Sequence, residues 1–245
     1  MRTRFESVGS RHVIRTWTLV DFVLVILGGF LGASVFAAIG IAADNDEVFV
    51  VLALIGQYIG HLFVLWLVNR SKPRDSLGFE VRGRDSGYIF AGLGLQLGLS
   101  ILFRPLVWLL FPEGGPAQEI GDVMADLESD GTRLTSLMVS VVLVPITEEL
   151  TFRGVLIKAL GDRSKRVLIV ASALVFSLFH VLGLTTGNLL AAAAIVLPQL
   201  FIVGLVLAWV TLRSGRLGPA IFLHSGWNLL AALVLLLPPE LLNAG

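Results

Sequence analysis

Two adjacent carboxylates and an arginine, Glu148, Glu149 and Arg153, stand inside the apolar run Val144-Pro145-Ile146-Thr147-Glu148-Glu149-Leu150-Thr151-Phe152-Arg153-Gly154. Two further polar pairs follow in equally apolar surroundings, Phe176 with His180 and His224 with Asn228, each four residues apart. A charge at the centre of a membrane helix costs about 2.5–3.5 kcal/mol on insertion scales, so these residues need a compensating role. Carboxylate, imidazole and amide together are suited to amide hydrolysis, which needs a base beside a water and fixed donors where negative charge develops. The same side chains suit a metal. Two imidazoles and one carboxylate, here His180, His224 and Glu148, leave zinc an open position, with the other glutamate as base. No H-E-x-x-H is present, and spacing alone does not choose between the two chemistries.

Helix geometry divides the charged cluster. Glu149 and Arg153 are four residues apart with the acid N-terminal, the better orientation for an ion pair, while Glu148 points roughly 100° away around the same helix. Glu149 is therefore expected to pair with Arg153, and Glu148 to be left free as a base. Pro145 has no N–H to give the preceding turn, so the helix should kink and free a carbonyl beside the pair. His224 and Asn228 share one face of their helix, and His180 comes from another helix. A structural reading, in which the charges only pin helices together, accounts less well for the second glutamate and the second histidine.

The elements that must position these groups are membrane helices. The chain has 245 residues, 56% hydrophobic and 15% charged, with a mean hydropathy of +0.86. That composition excludes an ordinary water-soluble domain of this length. The net charge is zero, so nothing points to nucleic acid, and the absence of Cys removes disulfides, thiolate metal sites and a cysteine nucleophile. The expected fold is all-α, a polytopic transmembrane bundle of about seven spans (six to eight), forming one membrane domain over residues 1–245. The spans read as 17–43, 48–69, 87–111, 134–159, 167–183, 188–212 and 217–237. Pro198 is the point at which the sixth could break. Basic residues cluster before the first span (Arg2, Arg4, Arg11, Arg15) and after the second, fourth and sixth. By the positive-inside rule residues 1–16 form a cytosolic segment and the C-terminus lies outside. On that topology His224, Glu148 and His180 lie about 9, 15 and 20 Å from the cytosolic ends of their helices at 1.5 Å per residue, close enough in depth to share a pocket.

Gly28 with Gly32, Gly56 with Gly60 and Gly94 with Gly98 form small-x-x-x-small patterns, expected to pack helices within the bundle rather than to form a dimer seam. Gln57 and His61, one turn apart, are read as structural residues able to hydrogen-bond to a neighbouring helix. Arg104 is expected to snorkel to the interface. Between the third and fourth spans an acidic loop, with Ile120, Val123 and Leu127 at helical spacing, reads as a short amphipathic helix on the outer surface.

These motifs resemble one family. In order, E-E-x-x-x-R (Glu148, Glu149, Arg153), F-x-x-x-H (Phe176, His180) and H-x-x-x-N (His224, Asn228) are similar to the pattern of the CAAX-type intramembrane proteases and bacteriocin-processing enzymes, the CPBP or Abi family, which includes type II CAAX prenyl endopeptidases. The resemblance covers residues 144–228, which would be the catalytic core. It implies an intramembrane endopeptidase acting on a membrane-associated peptide or protein in a lipid bilayer. Glu148, aided by His180, would activate a water; His224 and Asn228 would stabilise the oxyanion; Glu149 and Arg153 would hold the helix. The metal-free mechanism with no cofactor is preferred, the family being discussed in metal-dependent terms as well, with zinc on Glu148, His180 and His224. A bacterial cytoplasmic membrane is the expected location. The competing readings are a non-catalytic scaffold or bacteriocin-immunity protein of the same fold and, ranked last for want of inverted broken helices, an ion-coupled transporter.

Overall fold

The computed structural model describes residues 16–73, 76–112, 129–184 and 188–236. Residues 1–15 of the basic N-terminal segment, and the acidic loop around Ile120, Val123 and Leu127, lie outside the described residues. Among the described residues seven helices run in chain order: α1 (Leu19–Ile41), α2 (Asp46–Asn69), α3 (Tyr88–Leu110, entered through a 3-10 turn at Gly83–Gly87), α4 (Asp130–Ala159), α5 (Lys165–Phe179, closed by a 3-10 turn at His180–Gly183), α6 (Leu189–Ser214) and α7 (Gly218–Leu236). Six of them are long and apolar enough to cross a membrane; α7 is a seventh helix of 19 residues packed in the same bundle. The outer faces carry Val20, Leu31, Phe90, Leu109 and Leu190 in the open. Such apolar exposure suits a hydrocarbon solvent and would be a liability in water.

Local chemistry starts and stops the helices. Thr18 caps α1 in a capping box with Asp21, and Asn45 caps α2 after a turn in which Asp44 takes a left-handed φ of 50°. Helix α6 ends on Gly215 at φ 73°, a left-handed conformation that glycine adopts without cost. Pro198 does not break α6, which runs through it as one helix of 26 residues. Its missing N–H is tolerated because the helix is packed on its neighbours at Val196 and Leu200.

The glycines divide into two classes. Gly28 and Gly32 face Gly56 and Gly60, and a methyl group on Gly28, Gly32 or Gly60 would run into the opposing backbone, so α1 and α2 touch main chain to main chain as expected. Gly94 and Gly98 have open space around them instead; α3 approaches α7 through Gly92 and Gly226. On the cytosolic side of the expected topology, the segment 76–82 crosses to the start of α7. Leu217 N–H donates to the Gly78 carbonyl (2.9 Å), Gly218 N–H to the Glu80 carbonyl (3.1 Å), and the Arg216 guanidinium grips the buried Asp85 carboxylate with both terminal nitrogens.

Helix α4 is the central element, with 44% of its most apolar window buried against 6% for α3. It is not uniform. Residues Val139–Leu143 and Glu149–Leu156 are π-helical, separated by an α-helical turn at Val144–Glu148. A π-turn inserts an extra residue into the ladder, and such turns recur at functional sites. The Glu-Glu pair straddles the second π-segment, which begins at Glu149.

Candidate active site

Proline accounts for the first irregularity. Val144 N–H donates to Val139, five residues back, so it does not serve Ser140. The next position, Pro145, has no N–H to offer in either register. The Ser140 carbonyl is thereby left without an in-helix donor, and the Asn228 side-chain amide donates to it across 2.8 Å. This is the freed carbonyl expected from Pro145, and its partner is a motif residue of α7.

The second π-segment is wholly buried. Glu149 and Arg153, 0% and 1% exposed, form the expected ion pair, with Arg153 Nη1 donating to Glu149 Oε1 at 2.9 Å. Arg153 Nη2 also reaches the Gly204 carbonyl of α6 (3.4 Å), and the guanidinium lies 4.4 Å from the centre of the Phe176 ring. A buried charge is tolerable only when paired and hydrogen-bonded, and here the partners come from α4, α5 and α6. Gly204 packs on Ala173, which brings the α6 carbonyl within reach.

Glu149 Oε1 has a second partner, His224 Nδ1 at 3.0 Å. With Nδ1–H donated to that carboxylate, His224 turns Nε2 toward Glu148, whose Oε2 stands 3.8 Å away. That distance is too long for a hydrogen bond. Glu148 Oε2 is buried and has no hydrogen-bond partner among the described residues. The two carboxylates thus flank opposite edges of one imidazole: Glu149 Oε1 is shared between Arg153 and His224, while the Oε2 atoms of both glutamates are buried without a hydrogen-bond donor among the described residues.

His180 caps the C-terminal end of α5 rather than lying within it. Its Nδ1–H donates to the Phe176 carbonyl (2.8 Å), which fixes the tautomer and leaves Nε2 as the acceptor. The Phe176 ring stands between the histidines, 4.7 Å from the His180 ring and 5.9 Å from that of His224. Among the described residues, no hydrogen bond or ion pair joins His180 to either glutamate, so the structure brings Glu148, Glu149, Arg153 and His224 into one network, ties Asn228 to the same helix, and places His180 one aromatic ring away.

Helix α2 also reaches the site, a contribution the motifs do not announce. Tyr58 packs in one cluster with Val139, Leu143 and Val144, and Leu65 shares a second cluster with Leu150. The sequence reading of Gln57 and His61 as bonding across to a neighbour is corrected: His61 Nδ1–H donates to the Gln57 carbonyl of its own helix (2.9 Å).

All of the motif residues lie between the start of α4 and the middle of α7. Residues 130–230 match the family described as Rce1-like, type II CAAX prenyl endopeptidase. The match supports the CAAX protease family. It spans about two fifths of the chain and leaves α1, α2 and α3 outside. Comparison with curated proteins and with solved structures gives no match. Over residues 130–230 the chain is thus similar to that family, and six of the described helices are long and apolar enough to cross a membrane.

Proposed function

We propose that this protein is an intramembrane endopeptidase that hydrolyses a peptide bond of a membrane-associated peptide or protein, with Glu148 as the general base. The observation that carries the reading is the state of Glu148: a buried carboxylate oxygen with no donor, facing an imidazole whose other edge is anchored to the Glu149–Arg153 pair. A buried carboxylate held unpaired is costly unless a ligand or reactant completes it.

In the proposed step Glu148 takes a proton from water as the water oxygen bonds to the carbonyl carbon of the substrate. The His224 ring, held through Nδ1 by the Glu149 carboxylate, presents its Nε2 edge to the oxygen on which charge develops. The Asn228 amide has two N–H groups; one holds the Ser140 carbonyl and the other is left for the same oxygen. Collapse of the tetrahedral intermediate breaks the C–N bond, and the proton held on Glu148 passes to the leaving nitrogen. His180 Nε2, an acceptor by its tautomer, orients the water from the α5 side. Substrate class follows only the family: a C-terminal peptide anchored in the bilayer.

The metal-dependent alternative needs Glu148, His180 and His224 to converge. Among the described residues no three His, Asp or Glu side chains are close enough to hold one ion. The donors as placed do not fit a three-ligand zinc site, and no step is routed through a metal. The test is cleavage of a bilayer-anchored peptide by protein reconstituted in vesicles, comparing wild type with Glu148→Gln and with metal content assayed in parallel. Loss of cleavage in a variant that melts like wild type is expected; full activity of Glu148→Gln would rule out Glu148 as the base, and a wild-type protein that cleaves nothing while its phenotype survives loss of Glu148 would favour a non-catalytic scaffold or immunity protein. Stoichiometric zinc required for turnover would overturn the metal-free step.

A further inference from the structure

Packing fixes which residues of α2 stand beside the site. Along α2, Leu54 and Tyr58 meet Val139 and the Leu143–Val144 turn of α4. Two turns further on, Leu65 shares one core cluster with Leu150, and Leu62 and Ile146 pack on that same core. The two helices run in register, so the residue between Tyr58 and Leu65 on the same stripe, His61, lies at the depth of Glu148. Consistently, the charge of Glu148 bears on both Tyr58 and His61.

The imidazole is held for that position. His61 is 6% exposed, its Nδ1–H is committed to the Gln57 carbonyl, and its ring stacks on Tyr58 at 6.2 Å and 25°. Helix α1 makes room for it: a side chain at Gly29 would strike the ring itself, so the glycine is required for the imidazole to stand there. With Nδ1 occupied, the remaining nitrogen, Nε2, is an acceptor. Glu148 Oε2 is an acceptor without a donor. Two acceptors at one depth are satisfied together by one water that donates a proton to each.

We infer that His61, from a helix outside the family-matched segment, is a positioning residue of the site, its Nε2 and the Glu148 carboxylate together orienting the water that attacks the substrate. The inference rests on the endopeptidase reading of Glu148. A third histidine thereby supplies what His180, behind Phe176, does not supply from α5 alone. The arrangement also gives α1 and α2 a role: Gly29 leaves room for the ring and Tyr58 stacks on it.

Two near-isosteric substitutions separate the two edges of the ring. His61→Asn retains a donor where Nδ1 bonds to Gln57 and removes the Nε2 acceptor; His61→Gln reaches the Nε2 position and gives up the Gln57 bond. Kinetics of peptide cleavage in vesicles and melting temperature are measured for both, with Glu148→Gln as control. The expected result is a fall in kcat of about tenfold to a hundredfold for His61→Asn, with KM unchanged, and substantial rescue in His61→Gln. Wild-type kcat for His61→Asn, or equal losses in both variants, overturns the inference. If Glu148→Gln still cleaves, the assignment of Glu148 as the base fails first, which is a different outcome from an inactive Glu148→Gln beside a fully active His61→Asn. Should neither His61 variant fold, Gly29→Ala, which displaces the ring without removing it, decides: a lowered kcat upholds the inference and an unchanged one overturns it.

Discussion

The side-chain amide of Asn228 on α7 donates to the main-chain carbonyl of Ser140 on α4, across 2.8 Å. Pro145, five residues beyond Ser140, is the reason that carbonyl is available, because the π-register around Val139 turns the Val144 N–H elsewhere and proline has none to give. A proline and the π-turn just before it on α4, with an asparagine 88 residues beyond Ser140 on α7, thus form one device that fixes α7 against α4 at the level of the candidate site.

That device predicts a coupling. Asn228→Leu should lower stability by about 1 kcal/mol, the scale of a hydrogen bond between membrane helices. Pro145→Ala restores an N–H that the Ser140 carbonyl can accept within α4, so in that background the cost of Asn228→Leu should shrink. A double-mutant cycle on melting in detergent measures the difference; additive effects would show that Asn228 does not serve the proline-freed carbonyl.

The two glutamates should fail differently. Glu149 is fully buried and shared between Arg153 and His224, so Glu149→Ala strands a buried guanidinium and is expected to cost about 3–5 kcal/mol. Glu148 has no hydrogen-bond partner to lose at Oε2, so Glu148→Gln should melt within about 1 kcal/mol of wild type while losing cleavage. Thermal melts of the two variants side by side test this. Equal destabilisation would mean that Glu148 is as much a structural member of the network as Glu149.

Much of this was legible in the sequence because membrane helices are written in long apolar runs, and because charges inside such runs are too costly to be incidental. The helices follow from the apolar runs, and the Glu149–Arg153 pair from spacing on a helix. The π-segments do not: hydrophobic pattern reports which face is buried, not whether the ladder closes at four residues or five, so the Asn228–Ser140 bond and the shared His224 ring were out of reach. Pro198 reads as a break in sequence, yet its helix is continuous, since packing on neighbours at Val196 and Leu200 overrides the lost bond. His61 illustrates the remaining limit. A histidine and a glutamine one turn apart look like partners for another helix, and only the packing of α2 on α4 at Tyr58 and Val144 brings this stripe of α2 to the level of the site.

The glycine pairs make opposite predictions from the same pattern. Gly32→Ala and Gly60→Ala place a methyl group into opposing main chain and should destabilise by about 1–3 kcal/mol through overpacking. Gly94→Ala and Gly98→Ala meet nothing within 4 Å and should be neutral or stabilise by about 0.4–1 kcal/mol, as alanine loses less backbone freedom in a helix. Melting temperatures of the four variants check the division. A large loss at Gly98 would place an unseen neighbour against α3.

The Asp85–Arg216 pair closes the cytosolic side of the expected topology and sets where α7 begins. Asp85 accepts both guanidinium nitrogens of Arg216 and the Arg82 N–H (2.8 Å), while Leu217 and Gly218 bond to the Gly78 and Glu80 carbonyls. The Asp85 hydrogen bond raises Arg216 further above the ordinary arginine range, so the pair stays charged at any working pH. Because α7 starts at Gly218, a slip of this latch moves His224 relative to both glutamates. Asp85→Asn and Arg216→Gln should each lower stability by about 1.5–3 kcal/mol, the scale of a charge-assisted bond, and the double variant should cost less than their sum. Cleavage should fall with them through kcat, since a misplaced imidazole weakens oxyanion stabilisation more than it weakens peptide binding. A double variant that is fully active would show that the glycine contacts of α7 with α3, at Gly92 and Gly226, hold His224 in place without the latch.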